Sequence, residues 1–345
     1  MCGVKFVLDC IDMKTGVLLI NLGTPSAPTP TAVKAYLDEF LMDPYVVDIP
    51  YPLRWLLVKG IILNTRPKQS AHAYQQIWTE AGSPLLVYSN DFFDKLNALV
   101  PENYQLALGM RYGSPSIREA AKTLRDCDRV CIFPLFPQYS LAATETAIVE
   151  AKRALQAEFS DDRITVVNDF FTSDFFLESW AGLLKEHYKP GYHLLFSYHG
   201  LPVKQLDKVA SCRKLCSRKT DCCAMADYNR QCYRAQCYAT THAVAELLGI
   251  KRENYSIGFQ SRLGKVPWIQ PYTDDVLTHL SNQGIKKLQV ACPSFVVDCL
   301  ETLEEIGMRA QEDWLQLTQG EFELVPCLNS RQDWVQRVSD FISTL

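Results

Sequence analysis

Short apolar runs alternate with segments of helical spacing along most of the chain. An apolar run that ends in Gly, Pro or polar residues is typical of a buried parallel strand, whereas apolar positions three and four apart predict an amphipathic helix. The pattern predicts strands at 16–23, 104–112, 129–137, 163–170, 193–197, 255–260, 287–291 and 322–326. It predicts helices at 31–42, 84–100, 115–126, 141–158, 173–188, 236–249, 273–283, 299–317 and 331–345. The aromatic segment 44–63 has neither pattern and is predicted to be irregular.

The same alternation occurs in both halves of the chain, which predicts two Rossmann-like α/β domains, each doubly wound around a four-stranded parallel sheet. Both halves open with an apolar strand followed by a turn that contains Gly and Pro, LGTP at 22–25 and HGLP at 199–202. The boundary is expected in the helix 173–188, with an N-terminal domain at 16–172 and a C-terminal domain at 173–345. Two such domains facing each other leave a cleft at their strand ends, which does not yet specify a chemistry.

Composition narrows the class of protein. The chain has 345 residues, of which 48% are hydrophobic and 21% charged, as expected of a globular protein with two domains. A net charge of −4 argues against a nucleic-acid-binding protein, which usually carries a basic domain. No apolar run approaches the ~18–20 residues of a membrane span, and the first residues, MCGVKFVLDCIDMK, lack the pattern of a signal peptide. We therefore expect a cytoplasmic protein.

The stretch 192–202, YHLLFSYHGLP, carries candidate chemistry. It predicts a buried strand that delivers His199 to its carboxyl end, where Gly200 and Pro202 stop regular structure. In open α/β sheets ligands bind at that rim, so an imidazole there is a candidate catalytic or binding group. The alternative is a histidine that only caps the strand with a hydrogen bond, and this stretch alone does not decide between the two.

The cysteines are unevenly distributed. There are 13, and those at 212, 216, 222, 223, 232 and 237 lie close together. Disulfides are rare in a cytoplasmic chain with a sizeable core, so the local cluster indicates metal or redox chemistry. Structural zinc is a serious alternative, although the paired C-x2–4-C spacing usual for zinc is incomplete here, since only Cys212 and Cys216 form such a pair. A disulfide pair and unligated thiols also stay open.

Six segments stand out in order along residues 16–330. They are NLGTP at 21–25, GMRYGSP at 109–115, FPQYS at 136–140, FSYHGLP at 196–202, FQSRLGKVPW at 259–268 and CPSFVVDCLETLEEI at 292–306. Together they resemble the ferrochelatases, which insert ferrous iron into protoporphyrin IX in the last step of haem synthesis. The resemblance implies two Rossmann-like domains around a porphyrin cleft, with protoporphyrin IX and Fe²⁺ as substrates and without a nucleotide cofactor.

The resemblance implies that His199 and Glu301 are catalytic and that both are ligands for the substrate Fe²⁺. Metallation removes two pyrrole N–H protons and admits a divalent ion. A neutral imidazole can accept a proton or bind iron, and a carboxylate can relay protons or hold the cation. The division of these roles stays open. The alternative for Glu301 is structural, because Asp298 and Glu301 have the spacing of an N-cap and N3 pair at a helix start. Many relatives carry histidine where this chain has Cys299, so no role is carried over to that position.

The resemblance also implies substrate-binding positions along the cleft. They are Leu22, Arg111, Tyr112, Tyr139, Trp268 and Phe295. Arg111 would pair with a porphyrin propionate, and the alternative is an ion pair within its own domain. Tyr139, Trp268 and Phe295 would form walls for a flat apolar macrocycle, and the alternative is that they belong to the core. Leu22 favours protoporphyrin IX, since tyrosine at that position is associated with the branch that uses coproporphyrin.

Segment 44–63 corresponds to a hydrophobic lip over the mouth of the family's cleft. Its apolar stretch 49–63 would touch the membrane surface, where a poorly soluble porphyrin arrives, and would bring the cytoplasmic protein to the inner face of the membrane. The alternative is a buried helix and loop, although Arg54 and Lys59 are the only charged residues in the stretch. Because relatives differ in oligomeric state, a homodimer stays open.

The cysteine-rich segment lies in an insertion at 204–236. Some bacterial ferrochelatases carry a [2Fe–2S] cluster on cysteines of an internal segment at this location, so the resemblance implies such a cluster here. The expected ligands are Cys216, Cys222, Cys223 and Cys232, with Cys212 in reserve. Cys237 is set aside, because relatives without a cluster also have cysteine there. Nothing in the sequence connects the cluster to the chemistry.

Two other functions stay open. One is a related chelatase that loads another metal, such as cobalt, or another tetrapyrrole, such as coproporphyrin III. The other is a non-catalytic haem or porphyrin carrier, which needs the cleft but not two proton-handling groups. The presence of both His199 and Glu301 therefore favours an enzyme.

Overall fold

The computed structural model describes residues 13–209, 224–262, 264 and 266–345. Two parallel sheets of four strands each form its framework, and helices cover both faces of each sheet. The predicted fold class, two doubly wound α/β units, is confirmed.

The first sheet has the strand order β2-β1-β3-β4. Its strands are β1 Thr15–Gly23, β2 Tyr104–Tyr112, β3 Arg129–Pro134 and β4 Ile164–Val166. Strand β1 lies in the middle, so its side chains are buried on both faces, which is why its sequence is a continuous apolar run. Val17 and Leu19 pack on one face, and Leu18 and Ile20 pack on the other.

The second sheet repeats this arrangement with the order β6-β5-β7-β8. Its strands are β5 His193–His199, β6 Tyr255–Gln260, β7 Lys287–Ala291 and β8 Glu321–Leu324. Strand β5 takes the central place that β1 has in the first sheet, and its last residue, His199, lies beside Gln260 in the parallel register. The strand ends of the sheet therefore meet at one rim, as the sequence pattern predicts.

Helices connect the strands and extend beyond the last of them. The α-helices are α1 Pro30–Leu41, α2 Tyr51–Trp55, α3 Leu63–Ile77, α4 Pro84–Asn97, α5 Ile117–Lys122, α6 Thr146–Leu155, α7 Asp174–His187, α8 Val203–Val209, α9 Tyr233–Leu247, α10 Thr273–Asn282, α11 Gln311–Thr318 and α12 Gln332–Ile342. Among the described residues, three π-helical segments precede α3, α6 and α11, and they are Leu56–Ile62, Leu141–Glu145 and Glu301–Ala310. Short 3₁₀ turns lie at Asp161–Arg163, Asp227–Asn229 and Arg252–Asn254.

The central core lies between the two sheets and contains residues of both halves. Helices α4, α7, α9 and α12 contribute to it. The ring of Phe92 on α4 stacks on Trp334 of α12 with 5.8 Å between the ring centroids, and Phe133 of β3 contacts Phe341 of α12 edge to face. The last helix thus packs against elements of the N-terminal half. The division at 172 and 173 stays a prediction.

The largest departure from the predicted elements lies between strands β1 and β2. The segment predicted to be irregular contains α2 and the π-helix Leu56–Ile62, and α3 had no predicted counterpart. Pro67 lies inside α3, where proline is normally unfavourable, and the buried face of this helix is only weakly apolar, since Pro67 and Ala71 belong to it. A sparse apolar stripe interrupted by proline is a weak signal for a helix. Packing of α3 on α1 stabilises it instead.

Candidate active site

His199 ends strand β5 at the rim of the second sheet and is partly exposed. Its Nδ1 lies 2.6 Å from the carbonyl oxygen of Gly200, and because a carbonyl can only accept, Nδ1 is the donor. In the neutral ring the lone pair is therefore on Nε2. The backbone N–H of His199 donates to Ser294 Oγ at 3.2 Å, and its carbonyl accepts from the Tyr233 hydroxyl at 2.9 Å. The Nδ1–H of the ring thus makes a hydrogen bond that caps the strand end, as the structural alternative for this histidine requires. Nε2 stays available for a reaction.

Glu301 is the first residue of the π-helix Glu301–Ala310 and is half-buried. Its backbone carbonyl accepts a hydrogen bond from Gln260 Nε2 at 2.8 Å. Burial raises the pKa of Tyr36 and Tyr74 well above the ordinary value, and the nearby carboxylate of Glu301 adds to both shifts. Glu301 therefore lies where the second sheet meets helices α1 and α3 of the N-terminal half.

Cys299 is buried next to Glu301 at the start of the same helix. Burial raises the pKa of the Cys299 thiol well above the ordinary value, and the charge of Glu301 and a hydrogen bond to its carboxylate add to this shift. The thiol is therefore the donor in this bond. The sequence analysis assigned no role to this position.

The N-cap and N3 pair of Asp298 and Glu301, which was the structural alternative for Glu301, does not form. The Asp298 carboxylate accepts instead from the Thr302 hydroxyl at 2.9 Å, from the Asn329 side chain at 2.7 Å and from the Cys327 backbone N–H at 3.2 Å. Asp298 therefore ties the start of the helix to the loop after β8. Spacing alone could not predict this outcome, because two of the three partners, Cys327 and Asn329, come from a distant part of the chain.

Glu305 is a candidate functional residue that the sequence analysis missed. Its carboxylate accepts from the backbone N–H of Ser261 at 2.7 Å and from the Ser261 hydroxyl. Burial raises the pKa of the Glu305 carboxyl, the Ser261 hydrogen bond and the His199 ring oppose the shift, and the charge of Glu301 adds to it. Glu305 is thus an electrostatic neighbour of both predicted catalytic residues. The four-residue spacing from Glu301 was the available signal, since residues four apart share a helix face.

Arg111 forms the ion pair that was the alternative to a propionate contact. At the end of β2 it pairs with the buried Asp43, and its Nε donates to Thr146 Oγ1 at 2.8 Å. The same Asp43 carboxylate accepts from the Tyr112 hydroxyl at 2.9 Å and from the Thr146 hydroxyl at 2.6 Å. Tyr112 is fully buried. Arg111 and Tyr112 therefore belong to a polar cluster around Asp43 inside the N-terminal half. A contact of either residue with a substrate stays a prediction.

The other predicted substrate-binding residues are partly exposed, and their contact with a substrate stays a prediction. They are Leu22, Tyr139, Trp268 and Phe295. Phe295 lies edge to face with the His199 ring at 6.4 Å between centroids. The Tyr139 hydroxyl donates to Glu145 at 2.8 Å, and its backbone N–H donates to Gln236 Oε1 at 2.6 Å, across the two halves of the chain. Trp268 forms a backbone bridge with Pro202, three residues after His199.

The predicted lip presents an apolar surface. Large side chains on α2 and the following π-helix are between 48% and 62% exposed, and they are Tyr51, Leu53, Trp55, Leu56 and Ile61. The two charged residues of the stretch 49–63 are both engaged. Arg54 is buried and donates to the carbonyls of Val47 and Ile49, and Lys59 pairs with Asp38. The alternative of a buried helix does not describe these five side chains. Among the described residues no helix is long and apolar enough to cross a membrane.

The predicted cluster ligands Cys216, Cys222 and Cys223, and the reserve Cys212, lie outside the described residues. Cys232 is the N-cap residue of α9 and is buried in the central core. Within the part of the chain that the structure describes, no three His, Cys, Asp or Glu side chains form a group that could hold a metal ion. Of the predicted set, Cys232 alone lies among the described residues, and its role as a cluster ligand stays a prediction.

Comparison with known proteins agrees with this geometry. The sequence model of the ferrochelatase family matches residues 14–344. The chain belongs to the ferrochelatase family. A ferrochelatase of Legionella pneumophila (strain Philadelphia 1) is 46% identical over 331 residues, which cover 96% of this chain and 99% of the relative. A ferrochelatase of Coxiella burnetii (strain Dugway 5J108-111) is also 46% identical over 331 residues, with 94% of this chain and 92% of the relative covered.

Solved structures agree with the ferrochelatase fold. The structure of SirB from Bacillus subtilis with Fe³⁺ has a TM-score of 0.52 at 10% identity and covers 96% of this chain and 95% of that chain. At such low identity the likeness concerns the fold alone. Membership of the ferrochelatase family makes the protein an enzyme of the metal-chelatase class, a lyase that places a metal ion in a porphyrin.

Proposed function

We propose that the enzyme inserts Fe²⁺ into protoporphyrin IX, forms protohaem and releases two protons. The observation that carries the proposal is the rim of the second sheet. There Gln260, the register partner of His199, donates to the Glu301 carbonyl, and the next residue, Ser261, donates to the Glu305 carboxylate. A group that accepts protons and groups that attract a cation are what metallation of a porphyrin requires.

The Nδ1–H tautomer of His199 gives the imidazole a defined role. Because Nδ1 donates to Gly200, Nε2 is the atom that accepts a pyrrole proton or binds iron. Glu301 and Glu305, one turn apart on the π-helix, supply carboxylates that hold the incoming cation or take the second proton. We leave the division of metal and proton roles between His199 and Glu301 open.

The partly exposed aromatic side chains support a flat apolar substrate. Phe295 lies against the imidazole. Tyr139 lies in the loop that follows β3, and Trp268 lies next to the loop that follows β5. Aromatic walls bind a macrocycle by its apolar faces, and Leu22 adds an aliphatic contact at the end of β1. Arg111 and Tyr112 remain candidate substrate contacts, although both are already engaged by Asp43.

The lip supports peripheral contact with the inner face of the membrane. An exposed apolar surface without free charge, formed by adjacent turns of α2 and the π-helix Leu56–Ile62, is the kind of surface that enters the interfacial region of a bilayer. We propose that the cytoplasmic enzyme receives protoporphyrin IX there.

We also propose a [2Fe–2S] cluster on Cys216, Cys222, Cys223 and Cys232. Four thiolates suffice for such a cluster, and the four cysteines lie close together in the sequence. When bound, the cluster would supply a structural or sensing element. No step of the metallation uses it.

Anaerobic insertion assays with purified protein test the substrate. Fe²⁺ is offered with protoporphyrin IX and, side by side, with coproporphyrin III, and Co²⁺ replaces Fe²⁺ in a parallel series. We expect the highest kcat/KM for Fe²⁺ with protoporphyrin IX. A clear preference for coproporphyrin III or Co²⁺ would contradict the proposal, and tight porphyrin binding without any turnover would indicate a carrier.

Iron and acid-labile sulfide, measured on anaerobically purified protein, test the cluster. We expect about two of each per chain, as in a [2Fe–2S] centre. Stoichiometric zinc without sulfide would contradict the cluster and support structural zinc instead.

A further inference from the structure

Gln260 is buried at the end of strand β6 and touches the strand that carries His199. It is 4% exposed, and it lies opposite His199 in the parallel register. Its backbone carbonyl accepts from the Gly200 N–H at 2.8 Å. Gln260 therefore helps to fix the turn whose carbonyl group holds the His199 ring.

The Gln260 side chain connects this strand to the π-helix. Its Oε1 accepts from the Ser197 hydroxyl at 2.7 Å, and its Nε2 donates to the Glu301 carbonyl at 2.8 Å. Ser197 and His199 are two residues apart, so they lie on the same face of β5. The oxygen and the nitrogen of the buried Gln260 amide thus each make a hydrogen bond. These bonds fix the orientation of the amide, because leaving a buried polar group without a partner costs free energy.

We propose that Gln260 is a positioning residue for metallation, which sets Glu301 relative to His199 through its side-chain hydrogen bonds. The inference rests on the proposed roles of His199 and Glu301. Neither contact reaches the substrate, so Gln260 acts only through the two residues it orients. A shift of the helix start relative to the strand end would misplace the carboxylate, and misplacement of about 1 Å can cost about 100-fold in rate.

The adjacent residue supports this assignment. Ser261 adopts a left-handed backbone conformation with φ of 67°, which directs both its N–H and its hydroxyl to the Glu305 carboxylate. Two consecutive residues at the end of β6 thus contact the π-helix. Gln260 binds the turn that carries Glu301, and Ser261 binds the turn that carries Glu305. Left-handed backbone is uncommon for serine and persists where the surroundings require it.

Gln289 provides a matched control. It is fully buried on strand β7, on the other side of β5 from β6. Its Oε1 accepts from the Lys189 N–H at 2.9 Å, and its Nε2 donates to the His187 carbonyl at 2.8 Å. Its register partner is Leu194, near the start of β5, so it lies away from the rim. Loss of this amide removes the same kinds of hydrogen bond from the same sheet without touching His199 or Glu301.

The test compares Gln260→Met and Gln289→Met in the full-length protein. Thermal stability, porphyrin affinity from fluorescence titration, and kcat and KM of metallation are measured for both. We expect both variants to lose thermal stability to a similar extent. Gln260→Met should lose about 10-fold or more in kcat with KM for the porphyrin near the wild-type value, whereas Gln289→Met should keep the wild-type kcat.

Gln260→Glu is the second variant, in case the methionine variant does not fold. Its carboxylate still accepts from Ser197 but no longer donates to the Glu301 carbonyl, so kcat should again fall while the porphyrin still binds. A folded Gln260→Glu or Gln260→Met with wild-type kcat would overturn the proposal. Equal losses of kcat in Gln260→Met and Gln289→Met would overturn it as well, because they would indicate a general structural effect.

The assay uses the metal and tetrapyrrole that the wild-type enzyme turns over. If this pair is not Fe²⁺ and protoporphyrin IX, the proposed substrate is wrong, and the comparison of the two glutamine positions still decides the role of Gln260.

Discussion

The Nδ1 atom of His199 lies 2.6 Å from the carbonyl oxygen of Gly200, the next residue in the chain. This contact fixes the tautomer of the ring and leaves Nε2 for the reaction. Glycine is required at position 200, because a Cβ there would lie 2.7 Å from the carbonyl oxygen of Gln260. The turn can therefore approach strand β6 closely enough to present the imidazole at the rim.

Replacing Glu301 with glutamine should slow metallation by about 100-fold or more, since a positioned proton-transfer group contributes about 10²–10⁴-fold in rate. The amide keeps the size of the side chain but cannot take a proton or neutralise the cation. The backbone hydrogen bond from Gln260 is unaffected by the change. Steady-state kinetics with Fe²⁺ and porphyrin titrations measure the effect.

Glu312→Gln is the control for this substitution, because Glu312 is an exposed residue on the continuation of the same helix. It should leave kcat unchanged. Wild-type kcat in Glu301→Gln would remove Glu301 from the proposed mechanism.

Replacing Leu53 and Leu56 with serine should weaken binding to lipid vesicles without lowering the turnover of detergent-solubilised porphyrin. Both side chains are more than half exposed, so the change removes apolar surface and leaves the core intact. Co-sedimentation with phosphatidylcholine vesicles, with and without anionic lipid, measures binding. Leu247→Ser alters a similarly exposed leucine on α9 and should have no effect. Unchanged vesicle binding in the double variant would rule out the lip as the contact surface.

Replacing Asp43 with asparagine should lower the free energy of unfolding by about 3–5 kcal/mol, the cost of leaving one partner of a buried ion pair without its counter-charge. Asp43 is the acceptor for Arg111, Tyr112 and Thr146, and its side chain is 3% exposed. Denaturant unfolding measures the change, and Asp340→Asn on the surface of α12 is the control. If the free energy of unfolding falls no more than in the control, the buried Asp43 carboxylate does not stabilise the end of β2 to the predicted extent.

Acidification should destabilise the protein partly through His193, at the start of β5. Burial, with a smaller effect of the Arg252 charge, lowers the pKa of His193 from 6.5 to about 4. Between these values the unfolded chain binds the proton more readily than the folded one, so stability present above pH ~6.5 is lost as the pH falls towards ~4.

His193→Gln should therefore flatten the fall of unfolding free energy between pH ~7 and ~5. Urea unfolding across this range measures the slope. His279→Gln, at an exposed histidine on α10, should retain the wild-type slope. A His193→Gln slope equal to that of the wild type would contradict this assignment.

The sheets were predictable because their strands are buried on both faces, so their sequences are continuous apolar runs with Gly or Pro at the ends. Strand β5 could thus be placed, and His199 with it. Helix α3 was not predictable, since Pro67 interrupts a sparse pattern and tertiary contacts with α1 decide its structure.

The candidate site was predictable only in part. His199 and Glu301 follow from motifs, whereas Glu305 and Gln260 became evident from contacts between strand β6 and the π-helix, 41 and 44 residues apart in sequence. The partner of Arg111 is Asp43, 68 residues away, and no local pattern connects the two. Long-range pairing of polar groups depends on the folded topology, which motif spacing does not encode.

The most direct test of the account is anaerobic insertion of Fe²⁺ into protoporphyrin IX by the wild type and by His199→Ala, with porphyrin binding measured for both. We expect the wild type to form protohaem, and His199→Ala to bind the porphyrin but metallate it at a rate at least about 100-fold lower. Metallation by His199→Ala at the wild-type rate would contradict the central claim that this imidazole carries the chemistry.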